Sequence, residues 1–326
     1  MTLDPAVAAV RGAIRPHARS LDDKGGPLLV ACSGGADSLA LLSAAIFEVA
    51  DRPVIGVTVD HGLQDDSAAH AARVVEQMES LGAGEGVAVR IRVEERGNGP
   101  EAAAREARYA VLSELAARFA ASAVLLGHTR DDQAETVLMG LARGSGGRSI
   151  AGMRPAFEIF RRPLLGLTRA ETEAACVAQG IGWWVDPHNL DPRFLRARIR
   201  NEVMPMLERE LGPGVSAALA RTGQQVALDV AALDAVAEQA MGDYIAPDGF
   251  AVERLRELPP AVRSRVLRLS ALAAGCPPGE LFAVHIDALE AQVSNRAHLP
   301  KSIQLPGHIT AIRSGKSLRF VRGRRD

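Results

Sequence analysis

Cysteine is scarce. The 326 residues contain three, Cys32, Cys176 and Cys276, far apart and odd in number. With no CxxC pair, a disulfide framework, a zinc ribbon and a cysteine-held iron–sulfur cluster are not expected. Excess charge is missing too: 38 basic against 39 acidic side chains leave a net charge of -1. Any nucleic-acid partner must therefore be met by a local patch. Nor is there a long apolar run. Leu39 to Phe47, the most apolar stretch, is about half of the roughly 20 residues that a membrane helix needs. Met1 to Ser20 mixes Asp4, Arg11, Arg15 and His17 with alanines and lacks the apolar centre of a secretory signal. Repeats and low-complexity segments are absent. A soluble, cytoplasmic protein with no membrane partner is expected.

What is present is globular in character, with 47% hydrophobic and 24% charged residues. The length suggests two domains, each able to bury a core without staples. The first half alternates short apolar runs with helical patterns. Pro27 to Cys32, Val54 to Val59, Val87 to Val93 and Ala123 to Leu126 read as strands. Ser38 to Ala50, Ser67 to Leu81 (Ala72, Val75, Met78 and Leu81 on one face), Glu101 to Phe119 and Asp131 to Leu141 read as helices. Strands alternating with helices imply βαβ units, an α/β fold with a doubly wound, mostly parallel sheet. Ligands of such sheets bind at the carboxyl ends of strands, here the loops after Cys32, Val59 and Leu126. The stretch Asp186 to Pro192, with two prolines and two aspartates besides His188 and Asn189, reads as a domain edge. The expected division is residues 1–192 and 193–326, the second part smaller and mainly helical. Arg196 to Leu211, Val215 to Met241, Pro259 to Ala274 and Gly279 to Val293 are its helices. His308 to Arg313 and Ser317 to Val321 form a closing hairpin around Ser314 and Gly315.

Ser33-Gly34-Gly35-Ala36-Asp37-Ser38 stands where a strand ends and a helix begins. Glycines allow a tight turn, and free N–H groups at the helix start suit a phosphate chain. The lysine of a Walker A loop is missing, and so is the GxGxxG fingerprint. Gly127-His128-Thr129-Arg130-Asp131-Asp132-Gln133-Ala134-Glu135-Thr136 follows the fourth strand and opens a helix. Two aspartates there complement the helix dipole. Together with His128 and Glu135 they also offer carboxylates for magnesium beside phosphates, and an imidazole that could carry a proton or bind a phosphate oxygen.

The glycine loop resembles the PP-loop of the ATP pyrophosphatases, which cleave ATP between the α- and β-phosphates and adenylate a substrate carbonyl. The GHTRDDQAET string resembles the GHxxDDQxET signature of the tRNA(Ile)-lysidine synthase branch. Similar to that branch, too, are Val59-Asp60-His61-Gly62-Leu63, the ExxAR-x-x-RY helix from Glu101 through Arg105 and Arg108 to Tyr109, and the glycine loop Arg143 to Met153 with Ser145. Arg162-Pro163-Leu164-Leu165, Trp184 to Asn189 and Phe194 to Asn201 complete the set. Ala197 stands where the family has asparagine, and His188 where it has a small hydroxyl residue. The tail from Leu305 resembles the hairpin closing the family's short form, so a further C-terminal domain is not expected. Its Arg313, Lys316, Arg319, Arg322, Arg324 and Arg325 read as a solvated basic end or an RNA contact.

The resemblance implies a carbon–nitrogen ligase with ATP as co-substrate and magnesium as cofactor. ATP would adenylate the wobble cytidine in the CAU anticodon of tRNA(Ile), and free lysine would then displace AMP. Implied at the catalytic centre are Asp37, His128, Asp131, Asp132 and Arg200. Either aspartate of the pair would orient or deprotonate the lysine amine. ATP would meet Ser33, Gly34, Gly35, Ala36, Asp37, Ser38 and His61, with magnesium on Asp37 and Asp131. Arg105, Arg108, Arg196 and Arg198 would meet tRNA or phosphate. A PP-loop tRNA thiolase and a non-catalytic nucleotide-binding regulator are the alternatives, and the oligomeric state stays open, a homodimer included.

Overall fold

The computed structural model describes residues 3–19, 25–62, 66–91, 100–144, 146–246, 249–294 and 302–323. Leu63, Arg92 and Val93, Ser145, and Arg324 to Asp326 lie outside them, as does the Glu101 side chain. The chain packs as two compact units: Met1–Met139 with Gly152–Gly223, and Gly140–Ala151 with Gln224–Asp326.

In the first unit, β1 (Leu28–Ala31), β2 (Val54–Asp60), β3 (Glu85–Arg90) and β4 (Ala123–Leu126) pair in parallel. A two-residue hairpin, β5 (Ala156–Phe157) and β6 (Phe160–Arg161), adds to the edge beside β4. The order β3-β2-β1-β4-β6-β5 places the topological switch between β1 and β4. Alternate residues of each strand serve opposite faces. Leu28 and Val30 join α1 (Pro5–Arg19), α2 (Ala36–Glu48), α3 (Ser67–Ser80) and α7 (Arg169–Ala178), whereas Leu29, Val124 and Leu126 meet α4 (Pro100–Arg118). α2 buries Ser38, Leu39, Ala40, Leu41 and Leu42 in succession, the pattern of a helix covered on all sides. In α3 the buried positions are Ala71, Val74 and Met78, one residue off the face expected from Ala72 and Val75. α1, in a stretch read only for its lack of a signal peptide, buries Val7, Val10 and Ile14.

α5 (Arg130–Arg143) follows β4. The first unit also takes in Arg193 to Gly223, past the division expected at 192/193. These residues stay because Ile199 and Met204 pack on Ala134 and because two arginines of this stretch pair with acids of α5. A helical turn α8 (Leu195–Arg198), a π-helical turn Ile199–Val203 and α9 (Met204–Leu211) run on without a break. Pro205 lacks an N–H, and its ring crowds the carbonyl four residues back, that of Asn201. The wide turn falls at that point.

The second unit holds α6 (Gly147–Ile150), the C-terminal part of α10 (Val215–Tyr244), α11 (Val252–Glu257), α12 (Pro260–Ala273) and α13 (Ala283–Ser294). The expected hairpin is there as β10 (Ile309–Ser314) and β11 (Ser317–Arg322). It is part of a five-stranded antiparallel sheet with β7 (Ile245–Ala246), β8 (Gly249–Ala251) and β9 (Ser302–Leu305), in the order β7-β8-β11-β10-β9. Val266, Leu267, Leu289, Val293, Ile309, Ala311 and Leu318 form its buried core. The flanking strands are two to four residues long, too short for alternation to mark them. No helix among the described residues is long and apolar enough to cross a membrane.

Candidate active site

β1 and β4 end side by side, so the loops that follow them meet. A Cβ on Gly127 would lie 3.1 Å from the Ser38 amide nitrogen and 3.2 Å from the Asp37 carbonyl. A side chain at that range would push the two backbones apart by a few tenths of an ångström. Gly127→Ala is expected to weaken ATP binding at least tenfold while far-ultraviolet circular dichroism stays that of the wild type.

The loop after β1 is braced from within. The Ser38 hydroxyl donates to the Gly35 carbonyl at 2.8 Å and accepts from the Ser33 amide at 3.1 Å. Its one proton is thus committed to the loop itself. Gly34 turns at φ +80°, and a Cβ there would meet Val74 at 2.8 Å. The Trp184 amide donates to the Gly34 carbonyl at 2.9 Å. α2 starts at Gly35 with no side chain capping it, leaving helix-start amides for an anion.

Asp37 opens into this space. Its carboxylate accepts a short hydrogen bond from the Thr172 hydroxyl, and Arg169 Nε stands 3.6 Å away. Burial, aided by the nearby Asp132 charge, pushes its pKa up to about 6 against the pull of Thr172 and Arg169. Thr172 and Arg169 are held by a reciprocal cap on α7, in which Thr168 accepts from the Glu171 amide at 3.2 Å and Glu171 accepts from the Thr168 amide at 2.7 Å.

The acids after β4 play different parts. Asp131 accepts from the Arg169 amide at 2.8 Å, tying α5 to α7. Asp132 accepts from the Thr129 amide and hydroxyl at 2.9 and 3.1 Å on one oxygen, and from Arg200 at 2.8 Å and Arg169 at 3.4 Å on the other. Burial pushes its carboxyl up, but Arg169, Arg196 and Arg200 hold it below the usual carboxylate range. Glu135, 2% exposed, takes Arg200 Nε at 2.6 Å and Arg196 Nε at 3.0 Å. Arg196 and Arg200, four apart on the helix, share a face. Arg198 points away and bonds the Pro192 carbonyl at 2.7 Å; it does not join them.

Two histidines each stand beside an arginine, and of the two His128 faces Asp132 and Arg196. Arg108 donates to His61 Nε2 at 3.0 Å. Burial and the Arg108 charge pull His61 down to about 4, and its Nδ1 is buried with no partner among the described residues. His128 Nδ1 accepts from Arg162 Nε at 3.2 Å. Arg105 donates to the Tyr109 hydroxyl at 3.2 Å. Asp37 and Asp132 are thus linked through Arg169, Arg200 sits on Asp132, Arg196 joins through Glu135, and Arg105 stands apart on Tyr109. The sequence reading missed Arg169 and Thr172 altogether. The capping-box spacing Thr168 to Glu171 marked where their helix starts, and no local pattern marked the side facing Asp37.

Residues 13–207 match the family described as PP-loop domain, and residues 250–324 match the one described as TilS substrate binding domain. The chain is 50% identical to the tRNA(Ile)-lysidine synthase of Salinispora arenicola over 325 residues, 95% of this chain and 97% of that one. The chain belongs to the tRNA(Ile)-lysidine synthase family. The family's Streptomyces coelicolor protein is 50% identical over 302 residues, 91% of this chain and 85% of that one. Among solved structures, the U34-tRNA thiolase NcsA from Methanococcus maripaludis with its 4Fe-4S cluster aligns with a TM-score of 0.57 at 16% identity, covering 68% of this chain and 80% of that one. That likeness is one of fold alone. Within the lysidine synthase family this chain's two departures have plain settings. Ala197 is buried, and His188 lies 3.3 Å from Asp186 with its ring perpendicular to that of Phe194.

Proposed function

We propose that this protein ligates free lysine to the wobble cytidine in the CAU anticodon of tRNA(Ile), with ATP as the activating co-substrate, in the cytoplasm. The observation that carries the reading is the juxtaposition at the β1/β4 switch: an uncapped helix start beside Asp37, backbone to backbone with the loop bearing His128 and Asp132. The first supports a polyphosphate and the second a cationic amine. In the first half-reaction the cytidine carbonyl oxygen bonds to the α-phosphorus and pyrophosphate leaves. In the second, the lysine ε-amine bonds to the activated carbon, the C–O bond breaks, AMP departs with the oxygen, and the amine gives up a proton to solvent.

The roles follow from the partners each group already has. The amides of Gly34, Gly35 and Ala36 cradle the pyrophosphate end, with Ser33 at the loop mouth and Ser38 bracing it. His61 lines the adenosine side, after β2. No three acidic, histidine or cysteine side chains among the described residues group to hold a metal unaided. Asp37 and Asp131 offer carboxylate oxygens, the hard donors that magnesium takes together with a substrate's phosphates. Asp37 would hold it, with Asp131 as the second carboxylate, and bound magnesium would neutralise the phosphate charge. Asp132 is fully engaged by cationic and neutral donors, so it orients the lysine ammonium by charge rather than taking its proton. Glu135 and Arg200 set the position of Asp132. Arg108 and Arg198, with the basic residues of the second unit, offer charge to tRNA phosphates, whereas the charge of Arg196 is taken up by Glu135.

Transfer of labelled lysine into an unmodified CAU-anticodon tRNA(Ile) transcript, dependent on ATP, tests the reading. Pyrophosphate release without lysine transfer would overturn it. The thiolase alternative makes a contrary demand on cysteine. All three cysteines are buried and free. Burial raises the Cys32 thiol and pushes Cys176 to about 11, far from a reactive thiolate. Treatment with an alkylating agent under native conditions is expected to leave lysine transfer within twofold of the untreated enzyme.

A further inference from the structure

Arg162 is 5% exposed, a guanidinium taken almost wholly out of water. Such burial is costly unless every donor is used. Its Nη1 donates to the Arg154 carbonyl at 2.6 Å, and its Nη2 to the Tyr109 hydroxyl at 2.9 Å. The Phe157 ring lies 4.6 Å below its central carbon. Tyr109 is itself fixed edge-on against Phe157 and Phe160. The plane of the guanidinium is therefore set by the Arg154 carbonyl, Tyr109 and Phe157, and in that plane its Nε–H points at His128 Nδ1 at 3.2 Å.

A guanidinium has only donors, so Nδ1 must present its lone pair. A neutral imidazole with a bare Nδ1 carries its hydrogen on Nε2. We infer that Arg162 is a positioning residue that locks His128 as the Nε2–H tautomer, so that His128 meets the substrate as a hydrogen-bond donor to oxygen rather than as a general base. The charged groups facing the ring are Asp132, Arg162, Arg105 and Arg196. Burial outweighs Asp132 and, with the three arginines, pulls the ring to about 3, so it stays uncharged at neutral pH. Nε2 has no hydrogen-bond partner among the described residues. The donor suits the anionic oxygens of a phosphoryl group or the carbonyl oxygen being activated, and it rests on the proposed adenylation.

The lock can be read without any turnover. The full chain labelled isotopically on histidine gives proton–nitrogen correlation spectra in which the protonated ring nitrogen is distinguished directly. The His128 signals are assigned by their loss in His128→Gln. In the wild type at neutral pH, a protonated Nε2 and a bare Nδ1 are expected, and Arg162→Met, which removes the donor, should yield a mixture of tautomers. A protonated Nδ1 in the wild type overturns the inference. Turnover supplies the second test, because glutamine can donate a hydrogen bond but cannot act as a base. His128→Gln is expected to keep lysine transfer within about tenfold of wild type, and His128→Ala to fall by about 100-fold or more, the usual cost of a lost oxyanion donor. Equal losses in both would mark a base and reject the donor role. A wild type with the expected tautomer but no lysine transfer would sink the proposed function and leave the lock standing.

Discussion

Asp37→Asn is expected to lower ATP-dependent pyrophosphate release by about 1,000-fold or more, through loss of the carboxylate proposed to hold the magnesium that neutralises phosphate charge, while making the free protein more stable at pH 8. The second effect follows from the carboxyl's position. Asp37 titrates near 6 in the folded chain, against roughly 3.9 in an unfolded one. A group with a raised folded pKa contributes stability that is present below the unfolded value and lost as pH rises through the folded one. Between pH 4 and pH 7 the wild type, free of nucleotide and magnesium, should therefore lose on the order of 2 kcal/mol that the asparagine variant keeps. Thermal melts in chelator across this range measure it. Parallel melting curves for the two proteins would mean that Asp37 titrates like a surface carboxyl.

Glu135→Ala should be the most destabilising single change in the site, by about 3–5 kcal/mol, the usual cost of breaking a buried ion pair from one side. Glu135 is 2% exposed and neutralises both Arg196 and Arg200. Without it two guanidiniums converge on Asp132 alone, which already accepts from Thr129 and Arg169. The reverse change, Arg200→Ala, is expected to cost less, because Glu135 keeps Arg196. The double variant Glu135→Ala with Arg200→Ala should then be more stable than Glu135→Ala alone, since one orphaned cation is gone, and the double-mutant cycle should show coupling of at least about 1 kcal/mol. Denaturant unfolding decides it. A Glu135→Ala midpoint equal to that of the wild type would mean that solvent reaches the pair freely. Lysine transfer should fall along with stability in Glu135→Ala, because Asp132 loses the geometry that Arg200 gives it.

Two kinds of information built this molecule. Local pattern settled the four parallel strands, the helices between them, the glycine loop at a helix start and the closing hairpin. Each depends on residues a few positions apart, and periodicity and turn chemistry report on that range. It also put His128, Asp131 and Asp132 at one strand end, because they are neighbours in the chain.

Packing decided the rest. Arg193, Arg196, Arg198 and Arg200 form one basic run in the sequence. Only the seating of Ile199 and Met204 on Ala134 turns Arg196 and Arg200 toward Glu135 and leaves Arg198 on the Pro192 carbonyl. Arg169 and Thr172 come from α7, more than 130 residues after Asp37, and no spacing rule reaches across a sheet. Arg162 meets His128 because β6 pairs with β4, although β6 is only two residues long and has no pattern of its own. Charge type and helix period are properties of the chain. Which charge faces which, and how far each is removed from water, are set when elements distant in sequence share one core.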